Sequence, residues 1–162
     1  RGDYFNLPFS QPEMRKLKIT FLVLLAGTIL AHIVSGLLNN DGMRRFYVAL
    51  PYALVFLPLF NLLRSGIRLP VEERNYRRDE IGVTYERFTN HSLILLITLG
   101  LCLLGEMVYL LFFNGNKPAQ LEFIFLAVEL TALALGFISY ERLKKVVITK
   151  ASDEGISIAV NG

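Results

Sequence analysis

Four stretches of the chain run almost without polar interruption: residues 19–38, 46–63, 92–113 and 121–140. A helix rises 1.5 Å per residue, so about 20 residues cross a hydrocarbon core of roughly 30 Å. Three of the stretches meet that length and the second is at its short limit. A soluble four-helix bundle would carry a charged outer stripe at a period of 3.6 on each helix. The first and third stretches have none; residues 93–105 hold no charge at all. The pattern predicts an all-α membrane protein with four transmembrane helices. Pro51 and Pro58 lie in the second span and predict static kinks, since membrane helices tolerate proline where neighbours satisfy the freed carbonyl.

The breaks between spans are as informative. Asn39-Asn40-Asp41-Gly42 follows the first span and Asn114-Gly115-Asn116-Lys117-Pro118 follows the third. Clusters of Asn and Gly tolerate tight turns, and short turns make consecutive helices antiparallel. The spans therefore pair as two antiparallel hairpins of the same orientation. A charged loop, residues 65–90, joins them. The two turns are offset by 75 residues, a repeat of architecture with few identities behind it.

Composition sharpens this picture. Of the 17 Lys or Arg and 14 Asp or Glu, only Glu106, Glu122 and Glu129 lie within the four spans. Such segregation excludes a soluble globular domain, a disordered chain and a disulfide-rich secreted module. Cys102 is the single cysteine; set among leucines, it reads as an inert packing residue. A pI near 9.1 here marks cytoplasmic loops facing anionic lipid rather than a nucleic-acid partner.

Lys and Arg also give orientation. Fourteen fall in the N-terminal segment 1–18, the central loop with its flanks, and the tail 141–162. Arg44, Arg45 and Lys117 fall in the two turns. The positive-inside rule places both termini and the central loop in the cytoplasm. The first span is too long for a signal-peptide core and lacks a small-residue cleavage site, so it is expected to remain as a helix.

The cytoplasmic parts read as follows. Segment 1–18 holds Tyr4, Phe5, Leu7 and Phe9 ahead of a basic cluster, the composition of a tail that touches headgroups. Pro8 and Pro12 argue against one continuous helix there. Tyr-Glu-Arg occurs at 85–87 and 140–142, each an expected aromatic anchor at the membrane boundary. Two β-branched runs, 146–149 and 156–160, flank a turn-rich stretch and predict a short C-terminal β-hairpin, with 81–85 as a third strand.

Motifs for nucleotide, metalloprotease, calcium or hydrolase chemistry are absent from the sequence, so no catalytic residue is nominated. The chemistry on offer is intramembrane. His32, Glu106 and Glu129 lie on three different spans, roughly 9, 10 and 12 Å below the ends of their helices. Each shares a helical face with small or polar residues: Thr28, Ser35 and Asn39 beside His32; Cys102, Gly105 and Tyr109 beside Glu106; Ala132, Gly136 and Ser139 beside Glu129. Glu122 is expected to be solvated near the boundary. A charge at mid-helix costs about 2.5–3.5 kcal/mol on insertion scales, so the three groups are expected to converge. Tyr109 and Asn39 would be their polar neighbours. One His with two carboxylates is a ligand set for zinc or another divalent cation, and equally a site for a proton or a cationic solute. Neutral Glu and His can also simply bond neighbouring helices.

Three functional classes follow. The leading one is a small integral membrane protein that binds or moves a small cationic or protonatable solute through His32, Glu106 and Glu129, with homo-oligomerisation expected for translocation. The alternative is a non-catalytic membrane subunit or regulator whose charged loop and tail bind a partner membrane protein. The third, a metal-dependent membrane enzyme, is disfavoured by the single deep histidine.

Overall fold

A computed structural model of the chain describes residues 4–6, 10–72, 76–77, 80, 85–146 and 149–150. Four long apolar helices dominate it: α1 (Gln11–Leu37), α2 (Phe46–Ile67), α3 (Arg87–Phe112) and α4 (Gln120–Lys144). Each is long and apolar enough to cross a membrane, and they form one membrane-spanning bundle. The helices lie in a ring in which each touches its two neighbours. The α2–α3 and α1–α4 interfaces are the most extensive, and α1–α2 is the least.

The sequence explains the helix limits. α1 begins at Gln11, eight residues before the apolar span. Ser10 precedes it, with its backbone N–H and its hydroxyl both donating to the Glu13 carboxylate (2.9 and 2.7 Å). Pro12 therefore sits in the first turn, where no N–H is required. It does not interrupt a helix as the sequence suggested, and Arg15, Lys16 and Lys18 ride on α1 itself. The Lys18 ammonium donates to the carbonyls of Ile67 and Leu69 (2.7 and 3.0 Å) and so caps the end of α2.

Burial is inverted relative to a soluble bundle. Leu37, Phe46, Phe60, Leu111 and Phe112 are each more than two-thirds exposed, whereas His32, Glu106 and Glu129 are fully buried. Hydrocarbon outside and polar groups inside is what lipid as solvent requires. Ala132, Gly136 and Ser139 do face the interior, with Gly136 against Leu95 and Leu96. One apolar cluster, including Phe21, Leu59, Phe88 and Leu95, fills the end where α1 starts and α4 finishes. A smaller one, Val48, Cys102, Tyr109 and Phe125, fills the end that carries the turns. Cys102 is thus buried, as its leucine setting implied.

One close approach links proline to glycine. Pro51 has no N–H for the Tyr47 carbonyl four residues earlier. Gly105 of α3 lies against that carbonyl, and a Cβ there would be only 2.6 Å from the oxygen. The small residue lets the two backbones meet.

At the terminal end, β1 (Tyr4–Asn6) pairs antiparallel with both β2 (Tyr76–Arg77) and β3 (Thr149–Lys150). The sheet order is β2-β1-β3, with Phe5 opposite Tyr76 and Lys150. N-terminal segment, central loop and tail thus meet in one small sheet. Among the described residues the tail strand pairs with the N-terminal strand, and the central loop contributes 76–77. Residues 81–84 and 156–160, where the expected third strand and the second arm of the hairpin fall, lie outside the described residues. Tyr85 is buried and its hydroxyl donates to the Pro70 carbonyl at 3.1 Å, so it belongs to the core rather than to a boundary anchor. Tyr140 does lie beside a snorkelling charge, with the Lys144 ammonium 4.6 Å from its ring centroid.

Candidate functional site

The polar groups predicted in the spans form two centres. The deeper one joins α1, α2 and α4. His32 projects from the buried stripe Thr28-His32-Ser35 of α1, and Glu129 from the stripe Phe125-Glu129-Ala132 of α4. His32 Nδ1 lies 2.8 Å from Glu129 Oε1, with both side chains fully buried. His32 Nε2 lies 3.1 Å from the Tyr52 carbonyl. The Ser35 hydroxyl donates toward Glu129 Oε1 and the His32 carbonyl (2.7 Å to the latter). The Tyr52 hydroxyl donates to the same carbonyl at 2.8 Å. Tyr52 also stacks on the imidazole, centroids 4.1 Å apart and planes 26° apart, and Phe56 covers it at 4.8 Å.

These contacts fix a proton count. A carbonyl only accepts, so the bond to Tyr52 requires a hydrogen on Nε2. A neutral ring then has a bare Nδ1, which can only accept, and Glu129 must carry the proton to donate. If Glu129 is a carboxylate, Nδ1 must be protonated. In both arrangements one proton lies between Nδ1 and Oε1, and the pair is neutral overall. A neutral pair avoids most of the cost of a lone charge in hydrocarbon. Glu129 Oε2 is buried and has no hydrogen-bond partner among the described residues.

The second centre lies at the turn end. Glu106, on α3, does not reach His32 in the contacts described. Its carboxyl faces Glu122 and Asn40, and it occupies the space a side chain at Gly42 would take. Glu122 is buried rather than solvated. It accepts from Asn40 Nδ2 at 2.8 Å, from the Asp41 N–H at 2.7 Å and from the Gly42 N–H at 3.4 Å to each oxygen. The turn after α1 folds down onto the first turn of α4. Glu106, expected level with Glu129 by residue count from its helix end, lies instead beside Glu122 of the first turn of α4.

The expected polar neighbours divide. Tyr109 is buried in the turn-end cluster with Arg45 over its ring at 6.0 Å. Asn39 is exposed and its Oδ1 receives Arg44 at 3.5 Å; the asparagine at the buried centre is Asn40. Among the described residues, no three of His, Cys, Asp or Glu are placed to hold a metal ion. Sequence reasoning placed Ser35 beside His32 but missed Glu122, Asn40, Tyr52 and Gly42 as members of these centres. One signal was present: Glu122 precedes Glu129 by seven residues, two helical turns, and so shares its buried face.

Above the second centre, Lys117 of the second turn pairs with Asp41 of the first at 2.8 Å. The hydrogen bond to Lys117, then its charge, hold the Asp41 carboxyl below the usual carboxylate range. Asp41 in return holds the Lys117 ammonium above its usual value. No family of proteins, curated protein or solved structure matches this chain.

Proposed function

We propose that this is a small integral membrane protein that binds a small cationic or protonatable solute at the His32–Glu129 centre. The observation that carries the reading is the 2.8 Å contact between two fully buried ionisable groups on different helices, beside a Glu129 oxygen without a hydrogen-bond partner among the described residues. A pair of this kind exchanges its proton against an incoming positive charge while remaining neutral overall. Ser35 and Tyr52 hold the two groups in register through the exchange. Because the centre is closed, loading requires helices to part, and α1–α2 is the least extensive of the four interfaces. The excess of Lys and Arg at the terminal end supports a cytoplasmic location for both termini and an outward location for the turns. Cysteine labelling at residue 2 and at residue 116 from either side of the membrane tests it.

Binding is tested on purified protein in a weakly buffered detergent solution. Tetramethylammonium and small primary amines are titrated while pH and thermal stability are followed. The expected result is proton release with a rise in melting temperature, both lost in Glu129→Gln. Neither effect with any of these solutes would overturn the reading. A second reading, a non-catalytic membrane subunit, is supported by the gathering of three separate segments into the sheet at the terminal end. A stoichiometric membrane-protein partner that is released when residues 76–77 are altered would favour it.

A further inference from the structure

We infer that Glu106, Glu122 and Asn40 form an all-oxygen site for a hard divalent cation of the calcium type, separate from the His32–Glu129 centre. Two carboxyls converge on one residue: both oxygens of Glu122 are 3.4 Å from the Gly42 N–H, and the Glu106 carboxyl fills the position of the missing Gly42 Cβ. Both glutamates are buried. Among the described residues, neither forms a salt bridge, because Lys117 is engaged by Asp41 and Arg45 lies over the Tyr109 ring.

The hydrogen bonds are unevenly shared. Glu122 receives three donors: the Asn40 amide and the N–H groups of Asp41 and Gly42. No backbone N–H donates to Glu106; its buried carboxyl faces the Glu122 carboxyl and Asn40, and the buried Asn40 Oδ1 has no hydrogen-bond partner among the described residues. The unpartnered Asn40 oxygen is buried and belongs to a third residue, outside the acid pair. Buried polar atoms in folded proteins are nearly always satisfied. Two facing carboxyls and an unpartnered amide oxygen, all buried, are electron-pair donors that a cation would satisfy together. Oxygen donors without nitrogen or sulfur select hard cations, and two carboxylates neutralise a divalent one. Calcium tolerates an irregular oxygen shell completed by water, whereas magnesium demands a near-octahedral one. Gly42 is required because any side chain would displace the Glu106 carboxyl. The Asp41–Lys117 pair lies between the site and the surface, and both side chains are partly exposed, so the path from solvent is short.

The test uses the full chain in detergent micelles after chelation. Calcium should raise the melting temperature by roughly 5 °C at about a hundredfold excess over its dissociation constant, with magnesium weaker. Glu106→Gln should abolish the shift and Glu129→Gln should leave it intact, which also keeps this result separate from the binding of organic cations. Should Glu106→Gln fail to fold, the unaltered protein still decides the matter. Tyr109 lies within electrostatic range of Glu122, so bound terbium should show tyrosine-sensitised emission that calcium displaces and Tyr109→Phe dims. The proposal is overturned by no calcium effect with no terbium emission, by a calcium shift that survives Glu106→Gln, by an equal response to sodium, or by a response to pH alone, which would identify a proton shared by two carboxyls.

Discussion

Replacing His32 and Glu129 singly and together by leucine measures what the buried pair contributes. Each single change removes the 2.8 Å contact and leaves the other group facing a hydrocarbon side chain. Leucine at 129 also takes an acceptor from Ser35, which keeps the His32 carbonyl. Interhelical hydrogen bonds in membranes average about 0.6 kcal/mol and reach about 1.7. Charge-assisted bonds contribute about 1.5–3 kcal/mol, and breaking a buried pair from one side costs about 3–5. With both groups fully buried, one proton shared and the ring held by Tyr52, the charge-assisted range applies. The double-mutant cycle should therefore give a coupling of about 1.5–3 kcal/mol, a tenfold or greater effect on the unfolding equilibrium. Reversible unfolding in mixed micelles, followed by loss of helical circular dichroism, supplies the four free energies. A coupling within about 0.5 kcal/mol of zero would refute the shared-proton reasoning and leave two groups that merely lie close together.

Gly105→Ala should destabilise the bundle by about 1–3 kcal/mol in the same assay, because its Cβ meets the Tyr47 carbonyl and the neighbouring backbone cannot give way. Gly100→Ala, with nothing within 4 Å of its Cβ, is the control and should be neutral or slightly stabilising. The pair of turns should respond to pH at both extremes. Asp41 has a lowered pKa, so its contribution is present above the ordinary carboxylate range and is lost as pH falls through the lowered value. Lys117 has a raised pKa, so its contribution is present below the ordinary lysine range and is lost as pH rises through the raised value. Melting temperatures of the unaltered protein minus those of Asp41→Asn should form a low plateau through neutral pH that falls away at both ends.

The four spans, the lipid-facing leucines and phenylalanines, and the inward stripe Glu129-Ala132-Gly136-Ser139 were all legible in the sequence. Each follows from length, hydropathy and helical period, which are properties of a segment by itself. That His32 would meet a buried carboxyl was legible too, since a buried base and a buried acid lower each other's cost by contact, but not that the carboxyl is Glu129 rather than Glu106. The partner of Glu106 was not legible. It depends on how far the Asn39-Asn40-Asp41-Gly42 turn folds into the bundle, and on the rotation of α3 that presents Glu106 to Glu122 and Gly42 rather than to His32. The start of α1 at Gln11 was local, but Pro12 reads as a breaker until Ser10 and Glu13 are seen to make a helix start around it. The pairing of β1 with β2 and β3 joins residues more than seventy positions apart. No periodicity within one short segment selects such partners. Only the bundle, by bringing the start of α1, the end of α2 and the end of α4 to one side, brings those strands close enough to pair.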